Sequence, residues 1–268
     1  MVNIQYASDI HINDWPKGTP FESFLVPSAP ILVIAGDICS AWDPLYASFL
    51  AWTSHNWQKV ILITGNHEYY CDTEPIKTME ETDQHIAQLV KQFPNVVFLQ
   101  NGASYRIPGT RIRFVGATLW SAISPTIWDE IVGNKGDYKV IYNQAGLFTR
   151  KAVPADMCAL HALHRSQLLS AIAPQQKEQL IVVTHHLPTK RLLEEEYRNE
   201  KWNSCYASDD DDLFVPNIKV WICGHGHRAT QLQVPGGPLL LMNARGYNRE
   251  KEMTRTVDIY NPRQTFNI

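Results

Sequence analysis

The sequence predicts an α/β protein built on a mixed sheet whose first half is parallel. Three observations predict it. First, several apolar runs are too short for helices and lack polar alternation, as strands buried on both faces do: Ile31–Ile34, Val60–Ile63, Gln179–Thr184 and Val220–Cys223. Second, Asp43-Pro44 opens a helix to about Asn56 between the first two runs, with Asp43 as N-cap and Pro44 at the first helical position. Strand, helix and strand in that order make a crossover, and crossovers join parallel strands. Third, each run stops in polar residues with metal-binding side chains: IQYASDIH, LVIAGDIC, ILITGNHEYY, LIVVTHH and VWICGHGH. Open α/β sheets put their ligands at the carboxyl ends of strands. These strand ends are expected to meet.

Composition sets the frame. A chain of 268 residues can bury a large core as one domain, and nothing in it demands a second. A net charge of −3 gives no long-range pull toward nucleic acid or anionic membrane. No apolar run approaches the ~18 residues of a membrane span. MVNIQYASDIH enters a functional strand at once, which leaves no room for a cleaved signal peptide. Five scattered cysteines offer no CxxC and no disulfide framework, so a reducing cytoplasm is expected. Cys39 and Cys223 read as strand-end packing residues.

In chain order, residues 2–8 form the first strand. Asp9 and His11 lie two apart, so in extended chain both leave one face, a half-site for a divalent metal. Asn13–Pro30 is a loop with a helical turn at Phe21–Val26. Gly65 turns the chain after Val60–Ile63 and delivers Asn66, His67 and Glu68. Glu74–Phe93 keeps one apolar face (Ile76, Met79, Ile86, Leu89, Val90, Phe93), and Pro94 stops the helix. Val96–Leu99 is a strand. Tyr105–Ile107 and Arg111–Thr118 flank Pro108-Gly109-Thr110 as an antiparallel hairpin. Ser121–Pro154 has poor periodicity and frequent Trp, Gly and Tyr, and reads as a cap inserted into the domain. Ala155–Ile172 is a helix with His161 and His164 expected on its outer face. A second variable segment, Leu187–Phe214, contains SDDDD. Calcium loops alternate their oxygen ligands and turn on a glycine, so Ser208 is read instead as an N-cap with the aspartates in a first helical turn. Pro238–Met242 and Arg255–Tyr260 are closing strands.

No single motif carries the function; the series does. DxH at Asp9 and His11, GD at Asp37, GNHE at Asn66 and His67, HH at His185, and GHGH at His225 and His227 follow one another across residues 9–227. With that series the sequence resembles the calcineurin-like metallophosphoesterases, a family that includes purple acid phosphatases, protein serine/threonine phosphatases and cyclic-nucleotide phosphodiesterases. GNHEYY, GATLWS, WICGHGHR and NARGY resemble its smaller bacterial phosphohydrolases. GDICSAW lacks the DRG of the protein phosphatases, and the GNRD of lipid A precursor hydrolases is absent.

The resemblance implies a four-layer α/β/β/α sandwich of two mixed sheets, of the metallo-dependent phosphatase type. It implies one metal between Asp9, His11, Asp37 and His227, and a second between Asp37, Asn66, His185 and His225, with Asp37 bridging. His67 would stand beside the scissile phosphate, and Glu68 would orient it or cap the next helix. His186 falls in the place after the ligand, for packing or substrate contact. Ser40 occupies the place of the purple acid phosphatases' tyrosine, so no tyrosinate-bound ferric ion is expected. Oxygen and nitrogen donors without thiolate suit Mn, Fe, Zn or Co, and no organic cofactor is implied.

The implied reaction is hydrolysis of a phosphodiester or phosphomonoester by in-line attack of a metal-bridging hydroxide. Its substrate would be a small phosphorylated molecule, with Arg245 as a candidate contact and Arg228 at the rim. Trp120, Trp128, Tyr138, Tyr142 and Trp202 would pack inside the cap or stack on a base or sugar. The alternatives are a nuclease of the same family, disfavoured by net acidity, and a silent scaffold, disfavoured by the intact ligand series. Protons should compete with metal at His11, His185, His225 and His227 as pH falls toward ~6.5.

Overall fold

The computed structural model describes residues 1–173, 178–249 and 259–268. In chain order the strands are β1 (Asn3–Ala7), β2 (Ile31–Ala35), β3 (Lys59–Ile63), β4 (Val96–Phe98), β5 (Ala103–Arg106), β6 (Ile112–Ala117), β7 (Tyr142–Ala145), β8 (Phe148–Lys151), β9 (Gln179–Thr184), β10 (Ile218–Cys223), β11 (Ala229–Gln233), β12 (Leu239–Asn243) and β13 (Thr265–Asn267). The helices are α1 (Pro44–Asn56), α2 (Met79–Val90), α3 (Trp128–Asn134), α4 (Asp137–Val140) and α5 (Pro154–Ile172).

Among the described residues these strands make two mixed sheets, in the orders β13-β1-β2-β3-β4 and β11-β12-β10-β9-β6-β5, with β7 and β8 as a separate hairpin. Pairing is parallel from β1 to β4 and from β6 through β9 and β10 to β12, and antiparallel where β13, β5 and β11 close the edges. The apolar runs explain this. Ile61, Ile63, Phe114, Ile181, Val183 and Ile222 fill the space between the sheets. Their neighbours on the opposite faces, such as Leu32, Ile34 and Leu62, pack under α1 and α2, and Val182 and Trp221 lie in the cluster that includes Leu168 of α5. The chain is therefore the expected α/β/β/α sandwich. At one end the sheets touch: Ser8 bridges Ala244, and the amides of Arg245 and Gly246 donate to the carbonyls of Ser8 and Asp9.

Local signals set most boundaries. Asp43 accepts from the Leu45 amide at 2.9 Å and Pro44 opens α1. Glu74 does not open α2. Thr78 and Glu81 form a capping box, each satisfying the other's backbone N–H, and this starts the helix at Met79. Ser208 caps no helix: its Oγ accepts from the Ala122 amide at 3.0 Å, and only a short 3-10 turn at Asp211–Leu213 follows. β11 and β13 escaped the sequence reading because they are short edge strands without an apolar run. Most of Arg255–Tyr260 lies outside the described residues. No helix among the described residues is long and apolar enough to cross a membrane.

Candidate metal centre

Five side chains named from the sequence stand on strained backbone at strand ends. Asp9 (φ 52°), His11 (φ 44°), Asp37 (φ 59°), His225 (φ 63°) and His227 (φ 48°) all occupy the left-handed region. L-residues avoid that region, and it is held where surrounding structure over-determines it. Here the overdetermination is visible. The Asp9 amide donates to the Gly36 carbonyl and the His11 amide to the Asp37 carbonyl. Two glycines make the room: a Cβ at Gly65 would lie 2.2 Å from Asp37 Oδ1, and one at Gly224 would lie 2.7 Å from Asp9 Oδ2.

The side chains converge in three overlapping clusters, each with ligand atoms within 4.8 Å of one another: Asp9/His11/His227, His11/Asp37/His67 and Asp37/His185/His225. In the first, His227 Nε2 lies 3.4 Å from Asp9 Oδ1 and 3.2 Å from His11 Nε2. His11 Nε2 is 3.8 Å from Asp37 Oδ2, so Asp37 touches both halves. In the second half, His185 Nδ1–H donates to the Ala35 carbonyl at 2.8 Å, which turns Nε2 into the site. Nε2 faces Asp37 Oδ2 at 3.3 Å and Asn66 Oδ1 at 3.1 Å. A proton on Nε2 joins these atoms in the metal-free protein, and a divalent cation could take that proton's place among the three. Oxygen and imidazole donors without thiolate fit a borderline divalent ion.

The electrostatics agree. Burial opposes ionisation of Asp37, yet the imidazoles of His185 and His67 hold its carboxyl well below the usual range. Burial pulls the His11 imidazole down to about 3, so it stays neutral and able to ligate. Burial also acts against a charged His185, but the Asp37 and Asp9 carboxylates and the Ala35 carbonyl together outweigh it and raise that ring to about 9. Burial keeps His225 well below its ordinary value.

Other residues differ from expectation or were missed. Glu68 neither orients His67 nor caps a helix. Buried, it accepts from the amides of Gly65, Asp37 and Ile38 at 2.7–3.0 Å, tying the β2 and β3 ends together. Arg245 does not reach the site: its guanidinium stacks 4.1 Å from the Trp15 ring centroid and donates to the Ser23 carbonyl. The amides of Arg245 and Gly246 are held by the carbonyls of Ser8 and Asp9, just past β1, and the side chain points away from the site. His186 is buried against the rings of Trp120 (5.2 Å) and His225 (4.1 Å). Asp137 of α4, unremarked in the sequence, accepts from Asn66 Nδ2 at 2.8 Å and from the Tyr70 hydroxyl at 2.6 Å. This fixes the amide so that Oδ1, not Nδ2, faces His185. Tyr247, the last residue of NARGY and given no role from the sequence, sets its hydroxyl 2.9 Å from His67 Nε2 and stacks on His11 at 4.3 Å. Tyr70 stacks on the His67 ring at 4.0 Å.

The centre forms the floor of a cavity of about 640 Å³. Trp120, Tyr138, Trp202 and Tyr206 contribute to its wall, with Lys135 and Arg228 also lining it. Trp128 turns inward instead, donating from Nε1 to the Ile123 carbonyl at 3.1 Å.

A two-sheet sandwich with His/Asp clusters at its strand ends defines the class of metal-dependent phosphoesterases. The family described as calcineurin-like phosphoesterase matches residues 4–229, and the chain belongs to that family. It is 26% identical over 227 residues to an uncharacterised protein of Acanthamoeba polyphaga mimivirus, covering 82% of this chain and 79% of that one. The fold is shared with a phosphopantetheinyl hydrolase from Mycobacterium tuberculosis, at TM-score 0.70 and 17% identity over 96% of this chain and 93% of that one. A dimetal phosphatase of Danio rerio superposes more loosely, at TM-score 0.42 and 12% identity over 90% of this chain and 86% of that one.

Proposed function

We propose that this chain is a binuclear-metal phosphoesterase that hydrolyses a small phosphorylated substrate, with Asp9, His11, Asp37 and His227 holding one divalent ion and Asp37, Asn66, His185 and His225 the other. The observation that carries this reading is the convergence of His185 Nε2, Asn66 Oδ1 and Asp37 Oδ2 beside the Asp9/His11/His227 cluster at the floor of one cavity. Two bound ions supply the charge that grips a phosphoryl group and the acidity that makes water a nucleophile at neutral pH. Asp9 and Asp37 offset only part of that charge, which leaves the floor attractive to a phosphate. His67, stacked on Tyr70 and hydrogen-bonded to Tyr247, would give a proton to the departing oxygen. Free cysteines at positions 39, 71, 158, 205 and 223 support a reducing, cytoplasmic setting. Hydrolysis of bis(p-nitrophenyl) phosphate by Mn²⁺-loaded protein, abolished by chelation and restored by metal, tests the reading. Inactivity across phosphodiesters, phosphomonoesters and nucleotides with Mn²⁺, Zn²⁺ and Co²⁺ would overturn it.

The two ions should respond differently to acid. The metal-free protein keeps a proton on His185 below about pH 9, and the metal must displace it. Apparent affinity at the Asp37/Asn66/His185/His225 position should therefore fall about tenfold per pH unit below that value. His11, neutral down to about pH 3, imposes no such competition on the other ion. Calorimetric Mn²⁺ titrations at several pH values would show one strongly and one weakly pH-dependent step. Two steps with equal slopes would contradict the assignment.

Asp137→Ala should act on the same ion. Without the carboxylate the Asn66 amide loses its orientation, and outer partners of this kind contribute about 10–100-fold in metal affinity. The second ion should weaken by that factor and the first hardly change, as read by metal titration. Unchanged affinity for both would show that Asp137 only anchors the cap.

A further inference from the structure

His161 and His164 were expected on the outer face of their helix, yet both are buried and lie behind the cavity wall, with Arg165 beside them. They project from one face of α5. The Leu119 amide donates to His164 Nδ1 at 3.2 Å, and His161 Nδ1–H donates to the Leu119 carbonyl at 3.2 Å. Two side chains thus satisfy both backbone groups of one residue. That residue needs holding: Leu119 (φ 70°) and Trp120 (φ 55°) are consecutive left-handed residues bearing large side chains. The reversal they make carries the chain out of β6 and presents Trp120 to the cavity.

The same helix face holds the second wall. His161 Nε2 lies 3.5 Å from Asp210 Oδ1, and Arg165 Nε donates to that oxygen at 3.0 Å, while Arg165 Nη2 pairs with Asp212. Asp210 is buried, and its amide donates to the Pro188 carbonyl. Between these anchors the two walls are stitched together. Ser121 Oγ donates to the Cys205 carbonyl at 3.3 Å, the Ala122 amide to Ser208 Oγ at 3.0 Å, and the Ser124 amide to Ser204 Oγ at 3.1 Å.

We propose that His161, His164 and Arg165 are positioning residues that fasten the segments 119–124 and 204–210 to α5, and so fix the aromatic wall that selects the organic part of the substrate. None of them touches the metal cluster. Their effect should fall on recognition of the ester group and spare the phosphate-binding floor. This rests on the phosphoesterase reading for its substrate and on the backbone geometry alone for the clamp.

Leucine and asparagine at both histidines separate the outcomes. Asparagine keeps a polar atom where Nδ1 stands, as acceptor at 164 and donor at 161; leucine keeps only bulk. In His164→Leu and His161→Leu, KM for bis(p-nitrophenyl) phosphate should rise about tenfold with kcat little changed, the signature of lost substrate binding. Inhibition by inorganic phosphate, which needs only the floor, should shift less than about twofold. His164→Asn and His161→Asn should recover most of the loss. Hydrogen exchange gives a readout free of activity: the Leu119 amide should be protected in wild type and His164→Asn and exposed in His164→Leu. Equal shifts for diester and phosphate, asparagine variants as impaired as leucine ones, or an unchanged Leu119 amide would each overturn the clamp. A wild type that hydrolyses nothing while the exchange result holds would remove the substrate role and leave the clamp standing.

Discussion

Asp37→Asn should strip the protein from two tightly held ions to at most one and lower turnover by at least about 10³-fold. The Asp37 carboxylate reaches both halves of the centre: its Oδ2 lies 3.8 Å from His11 Nε2 and 3.3 Å from His185 Nε2. Asparagine keeps the size, and its oxygen can still accept from the His67 amide, which donates to Asp37 Oδ1 at 2.8 Å. The fold should therefore survive and the defect be one of charge. Metal analysis after dialysis, beside far-ultraviolet circular dichroism, makes the comparison with His11→Ala and His185→Ala, each expected to release mainly one ion. An Asp37→Asn protein that retains two ions and full turnover would refute a bridging carboxylate.

The second large effect belongs to His67. Its Nε2 stands 4.0 Å from Asp37 Oδ2, inside the compass of the cluster, so the geometry alone allows either a ligand or a proton donor. The leaving group decides between them. A weakly basic p-nitrophenolate departs unaided, whereas a strongly basic alkoxide needs a proton as its P–O bond breaks. His67→Ala should keep both metals and lose about 10²–10⁴-fold on alkyl esters, with a clearly smaller loss on p-nitrophenyl esters. Equal losses on the two ester classes would reassign His67 to holding the phosphate. Loss of an ion would make it a ligand. Tyr247→Phe is the companion variant: removing the hydroxyl 2.9 Å from His67 Nε2 should reproduce part of the alkyl-ester defect with metal content intact.

Much of the fold could be read locally. Ile31–Ala35 and Lys59–Ile63 are strands because an uninterrupted apolar run of that length can be buried on both faces, and α1 begins where Asp43 and Pro44 say it does. α2 shows where two local signals compete. The apolar face reaches back to Ile76, but a helix end must satisfy its backbone N–H groups, and the Thr78–Glu81 pair does so four residues after Glu74. The histidines of α5 show where a local rule misleads. Polar residues spaced on a helix normally face water, and these face a strained turn that exists only once Leu119 has left β6.

By itself the sequence determined the donor types and their delivery at strand ends, because a strand and the glycine that turns it are properties of a few adjacent residues. Only the tertiary structure decided which atoms those donors present and what steadies them. Asn66 turns its oxygen inward because of Asp137, 71 residues on, and His67 is held by Tyr247, 180 residues on. Arg245, adjacent in sequence to this constellation, points away from it, its amide and that of Gly246 held by the carbonyls of Ser8 and Asp9. Orientation is a relation between segments that are distant along the chain, and it is settled by which acceptor a buried N–H finds when the two sheets close.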